Sequence, residues 1–264
     1  MDRSFLSQPA VIAASRNFVC IRLTSYEDEA EMKFCRSLFV GRSGDVENTT
    51  FTILSPDGRD PLVRTGRSAK QVFADAAAMA AVLNKIAREY PATPNNDHRP
   101  LPVTLDARLG LDVAASDNLP LLVVVATDPI RRKELENQVA ALAWSDEING
   151  RFTYSTVSSI TDIPNLSGVS IREGVFVIEP DTFGQQGTVV SQAGADAAPE
   201  QIRGMMLSGL KDRAKASKNS RDHRAQGIRQ GAFWEPKLPV TDREEANARH
   251  RTKSAIGKTP PSPQ

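Results

Sequence analysis

The eight residues Leu119-Pro120-Leu121-Leu122-Val123-Val124-Val125-Ala126 carry no polar side chain. A strand with one wet face alternates apolar and polar residues, so a run this uniform predicts a strand covered on both faces. Such a strand needs helices above and below its sheet. The flank supplies one: Pro129 suits a helix start, and Leu135, Val139, Leu142 and Ala143 follow at helical spacing. The run is also far shorter than the ~20 apolar residues of a membrane span.

Further along, residues 151–157 predict a second strand, and residues 174–179 and 188–192 a hairpin closed by Pro180, Gly184 and Gly187. A last helix opens at Ala198 or Pro199 and carries Ile202, Met205, Met206 and Leu210. The order is strand, helix, strand, irregular piece, hairpin, helix.

The N-terminal part repeats that order in a shifted frame. Residues 3–15 predict a helix kinked at Pro9, Phe18-Val19-Cys20-Ile21-Arg22-Leu23 a buried strand, and residues 27–39 a helix through Ala30, Phe34, Cys35 and Leu38. Residues 49–54 and 61–64 flank Ser55-Pro56-Asp57-Gly58, in which Pro sets φ and Gly accepts a positive φ, so a hairpin is expected. Ser68 caps a helix running to about Tyr90, with Val72, Phe73, Met79, Leu83 and Ile86 on one stripe. Residues 91–118, with Pro91, Pro94, Pro100, Pro102 and Gly110 among polar neighbours, predict a linker. The expected division is therefore a domain over 1–90, a linker over 91–118, a second domain over 119–210 and a tail over 211–264.

This element order resembles the thioredoxin fold. The expected class is thus α/β: two tandem thioredoxin-like domains, each a mixed sheet flanked by helices, the first lacking its opening strand. Residues 1–11 look like the helix that follows the family's active site, residues 18–23 like the next strand, and Leu54-Ser55-Pro56-Asp57-Gly58-Arg59 like the hairpin turn. Gly66 looks like the glycine before the last helix. More narrowly, the protein is similar to bacterial thioredoxin-family proteins that pair such a domain with a cysteine-free one. The resemblance implies a C-x-x-C on a strand-to-helix turn and a proline opposite it at the start of the hairpin. In the first domain the turn would lie upstream of Met1, and the proline position falls at Thr49 or Thr50. In the second, the turn is Thr127-Asp128-Pro129-Ile130 and the hairpin starts at Glu173 or Gly174. Neither domain has the dithiol or the proline.

Thiol–disulfide exchange needs a thiolate of lowered pKa, usually at a helix N-terminus, and a second thiol to resolve the mixed disulfide. Cys20 and Cys35 are the only cysteines, which excludes a disulfide scaffold and a cysteine-rich metal site. They are the only redox candidates, and neither has that setting: Cys20 is expected mid-strand and Cys35 late in a helix, both as buried small hydrophobes. The alternative is a regulatory disulfide between them, since a strand and its following helix pack together. No catalytic residue, cofactor or metal ligand is otherwise expected.

Other patterns carry less. His98, His223 and His250 lack metal spacing, and Gly41-Arg42-Ser43-Gly44 lacks the lysine of a phosphate loop. Asn48-Thr49-Thr50 and Asn165-Leu166-Ser167 match the glycosylation sequon, and Arg131-Arg132-Lys133 at a helix start forms a solvated face or an anion site. A formal charge of +1 argues against a whole-protein nucleic-acid or membrane footprint. Residues 211–264, however, hold 13 Lys/Arg against 6 Asp/Glu. Within that tail, Phe233, Trp234 and Leu238 are expected to dock back onto the domains, or else to bind a partner.

These features predict a redox-inactive binding or scaffold module whose partner is another protein. The rival is a thiol–disulfide oxidoreductase whose C-x-x-C precedes Met1, and a third reading has the tail contact nucleic acid. No signal peptide is visible at Met1-Asp2-Arg3-Ser4-Phe5, which places the protein in the cytoplasm; an upstream start would place it outside the inner membrane.

Overall fold

A computed structural model describes residues 2–47, 49–91, 99–211 and 220–256. They form a mixed α/β protein of two compact units, one comprising Met1–Pro94 with Phe233–Gln264 and the other Asn95–Ala232.

In the first unit a π-helical turn, Asp2–Leu6, precedes α1 (Pro9–Ser15), with Pro9 in the first helical turn as its fixed φ favours. Helix α2 (Glu29–Leu38) is capped by Asp28, whose carboxylate accepts from the Glu31 N–H at 2.9 Å. The helix expected over 68–90 is instead two. A short α3 (Ala69–Val72) ends where Phe73 turns into the core, and Asp75 recaps the backbone to start α4 (Ala76–Glu89). Met79, Ala80, Leu83 and Ile86 of α4 pack on Phe5, Val11, Ala14, Ile53 and Phe73.

The β-structure expected here is only partly present. Residues 49–66 keep the predicted turn, with Gly58 at φ +74°, but the hairpin is reduced to the antiparallel bridges Phe51↔Gly66 and Leu54↔Pro61. Residues 18–23 are irregular, not a buried strand: Val19 and Ile21 are 62% and 63% exposed. β-propensity without a neighbouring strand leaves the ladder's hydrogen bonds unmade, so the run does not become a strand.

The second unit begins inside the stretch expected to be a linker. There α5 (Ala107–Asp117) is capped by Asp106, which accepts from the Leu109 N–H at 2.7 Å, and ends on Asn118 in the left-handed region at φ 57°. Then come β1 (Leu121–Val125), α6 (Pro129–Ala143), β2 (Thr153–Val157), a 3-10 turn at Ile160–Asp162, β3 (Leu166–Ser167), β4 (Gly174–Pro180), β5 (Gly187–Gly194), α7 (Pro199–Gly209) and α8 (Ser220–Arg229). The sheet order is β2-β1-β4-β5-β3. β1 pairs parallel with β2 across the α6 crossover and antiparallel with β4, and β4 pairs antiparallel with β5.

Every residue of β1 is buried, as its uniform composition requires. Leu122, Val124 and Ala126 face Leu135 and Val139 of α6 and Ile202 and Met206 of α7. Leu121, Val123 and Val125 face the other way, onto Leu111 and Ala114 of α5 with Phe176 and Ile178 of β4. At about 1.5–3 kcal/mol for each fully buried large apolar side chain, this two-sided core is the main stabilising term of the unit. Along the outer side of β5, Gln192 fastens the loop before β4: its Oε1 accepts from the Ser170 and Ile171 N–H groups (3.0 and 3.3 Å), and its Nε2 donates to Gly168 O (3.1 Å).

The C-terminal segment returns to the first unit. Trp234 Nε1 donates to Glu27 Oε1 (2.6 Å), the Leu238 N–H to Tyr26 O (2.8 Å) and Thr241 Oγ1 to Val46 O (2.9 Å). The buried Asp242 receives the Glu245 N–H at 2.9 Å at the head of α9 (Arg243–Ile256), and its own N–H donates to the Tyr26 hydroxyl oxygen at 3.2 Å. Trp234 and Leu238 thus dock back, within the unit that holds residues 26–46.

Candidate functional site

β1 leaves the sheet beyond Val125, which stands between Val157 on one side and Gly174 on the other. The two places that the sequence singles out in this unit, the turn at 127–130 and the start of the hairpin at 173–174, therefore meet. The Thr127 N–H donates to Glu173 Oε1 at 3.1 Å. Asp128 closes the turn by accepting the Ile130 and Arg131 N–H groups at 3.1 and 3.2 Å. A carboxylate on the first N–H groups of a helix satisfies its orphan donors and its dipole together.

Behind this turn lies a backbone contact that only glycine allows. Gly174 has φ +137°, and a Cβ there would sit 2.0 Å from Ala193 O. Ile130 is 71% exposed, beside the exposed Pro129.

The cations that follow are engaged. Arg131 pairs with Glu134 (2.9 Å) and Asp196 (3.0 Å) and donates to Ala195 O (2.6 Å). Arg132 donates to Ala126 O (2.9 Å), and Lys133 pairs with Glu136 (3.1 Å). With Asp128 on the helix start and these partners around it, the segment is a closed network and not an open anion cradle. Sequence spacing missed the long-range half of it, Arg131 to residues 195–196, because no local pattern encodes that meeting.

Hydrogen bonding from Thr127, through its side chain first and its backbone N–H second, holds the Glu173 carboxyl below the ordinary glutamate range, against some desolvation and the nearby Asp128 charge. A folded-state pKa below the unfolded one means that the tie is complete above the ordinary glutamate pKa and is lost as pH falls through the folded value. In an acid titration followed by NMR, the Thr127 amide shift should move with a midpoint below that of an ordinary glutamate, and Glu173→Gln should abolish the movement. A midpoint at or above the ordinary value contradicts the pairing.

The cysteines lie in the other unit, and both are free. Cys35 is buried in α2, where burial first and Glu31 second push its thiol pKa up. Cys20 is exposed, which corrects the expectation of a buried strand residue. Its surroundings still raise its pKa by desolvation. Raised values suppress the thiolate that exchange chemistry needs.

The remaining candidates resolve into structure. The His223 ring lies 4.8 Å from that of Phe183, and His250 is exposed. His98 and Asn48 fall outside the described residues. Residues 41–45 form a closed turn through the Gly44 N–H to Gly41 O and the Gly41 N–H to Asp45 O. Asn165 sits at φ 55° and donates to Gln185 O at 3.3 Å. Among the described residues no group of three or more His, Cys, Asp or Glu residues could hold a metal ion, and no helix is long and apolar enough to cross a membrane. Comparisons with protein-family models, curated proteins and solved structures find no match to this protein.

Proposed function

We propose that the second unit is a thioredoxin-like binding module that holds another protein without thiol chemistry. The order β2-β1-β4-β5, with a parallel β1–β2 pair joined through α6 and an antiparallel β4–β5 hairpin followed by α7, is the arrangement such a reading calls for. So is the contact between the β1–α6 turn and the start of the hairpin, the observation that carries the proposal. In that reading Thr127-Asp128-Pro129-Ile130 stands where the family has its dithiol. None of these four side chains accepts or donates electrons. What remains is a shaped surface: an exposed Ile130 next to Pro129, on a turn pinned by Asp128 and Glu173. A recognition residue on a loop that a rigid scaffold positions is the usual design of a binding site.

The test is affinity capture on the immobilised full-length protein from an extract of the cells that encode it. A specific partner should be retained equally by the Cys20→Ser/Cys35→Ser double variant, be released without reductant, and be lost from Ile130→Asp. Retention only as a mixed disulfide, or insulin reduction that disappears on replacing either cysteine, would overturn the proposal. So would undiminished capture by Ile130→Asp.

A further inference from the structure

The turn between α6 and β2 holds the one Asn-Gly dipeptide of the sequence, Asn149-Gly150. Both residues are exposed, and Gly150 has φ +73° with open space where a Cβ would stand. The Asn149 N–H is held by Ser145 O at 2.8 Å, while the Asn149 side chain faces solvent. The next amide nitrogen belongs to a glycine, so no side chain shields its approach to the Asn149 Cγ.

We propose that Asn149 is a site of spontaneous conversion to aspartate and isoaspartate in the folded protein. The Gly150 backbone nitrogen gives up its proton and bonds to Asn149 Cγ. The Asn149 Cγ–Nδ2 bond breaks, ammonia leaves, and a five-membered succinimide closes. One water then opens the ring at either carbonyl. Attack at Cγ restores the normal backbone with aspartate at 149. Attack at the backbone carbonyl leaves isoaspartate, in which the backbone runs on through Cγ. The balance is one amide nitrogen lost as ammonia and one water taken up, with no oxidant or reductant.

The position gives the reaction a consequence. Ile148, immediately before the site, is fully buried among Leu135, Val139 and Phe152, and Arg151 donates to Glu147 O at 3.1 Å just beyond it. Isoaspartate lengthens the backbone by one carbon between two core residues, Ile148 and Phe152, that set where β2 enters the sheet. Either product also adds a negative charge beside Asp146 and Glu147. The site lies at the end of the sheet where β1 and β2 begin, away from residues 127–130, so this proposal and the binding proposal succeed or fail separately.

The experiment is prolonged incubation of the full-length protein at neutral pH and physiological temperature, followed by chromatography and mass spectrometry of the peptide spanning residues 149–150. The expected result is two products, aspartate and isoaspartate, growing with time at Asn149. Asn149→Gln, which keeps the amide but lengthens the ring that must close, should show loss of both products. The aged wild type should melt lower than the fresh protein, and aged Asn149→Gln should not. An unchanged peptide in the folded protein, with conversion only after unfolding in urea, would show that the fold protects the site and would overturn the proposal. Equal products from Asn149→Gln would also overturn it.

Discussion

Gly174→Val should remove most of the stability of the second unit, whereas Gly194→Ala should leave it nearly unchanged. The two glycines face each other in the β4–β5 ladder, which makes them a matched pair. At 174 the backbone holds φ +137°, and a Cβ would stand 2.0 Å from Ala193 O and 2.8 Å from the Gly194 carbonyl carbon, atoms fixed by the sheet. At 194 a Cβ meets nothing within 4 Å. Backbone strain of about 1–3 kcal/mol and overpacking of similar size add to roughly 2–6 kcal/mol, a large share of a typical domain's stability. Thermal unfolding followed by circular dichroism measures it. Equal melting of the two variants would mean that the strand pair does not approach as described.

Ending the protein at Ala232 should loosen the first unit and spare the second. The segment from Phe233 contributes four hydrogen bonds to residues 26, 27 and 46 at 2.6–3.2 Å, among them the Asp242 N–H to the buried Tyr26 hydroxyl. It also carries Asp242 to Arg67, 3.7 Å apart. At about 0.5–1.5 kcal/mol net for each hydrogen bond, the loss is roughly 2–6 kcal/mol, before counting the buried groups left unsatisfied. Hydrogen exchange should quicken over residues 24–47 and stay slow in β1 and β4. Unchanged protection at the Glu27 and Gly41 amides, which donate to Thr24 O and Asp45 O, would refute this. Asp242→Ala alone should reproduce part of the effect, since it deletes the α9 cap.

How much of this the sequence discloses depends on whether the deciding contact is local. The uniform run at 121–125 announces a strand covered on both faces, and Pro129, Pro199 and Gly58 mark their elements because each acts through its own φ. Helix α5 shows the opposite case. Gly110 reads as a linker residue, yet it is glycine because the helix lies against the sheet: a Cβ there would come within 2.8 Å of Thr104 Oγ1 and 3.1 Å of Leu121 Cδ1. Residues 18–23 fail in the other direction, because a strand exists only with a neighbour and propensity cannot supply one. Of the candidate site, the turn at 127–130 and the start of the hairpin at 173–174 were legible from element order. The tie through Glu173 and the long reach of Arg131 were not, since both join residues more than forty positions apart.

A unit assembled from residues 1–94 and 233–264 has a consequence for synthesis. At about 5–20 residues per second, translation takes on the order of ten seconds to pass from the one portion to the other. The intervening stretch has all its own strands by then and can reach its native state first. The opening helices must wait on the ribosome for Trp234 and Asp242 to emerge, a delay during which Tyr26 and Val46, both buried in the finished unit, lack the partners that residues 238–242 bring.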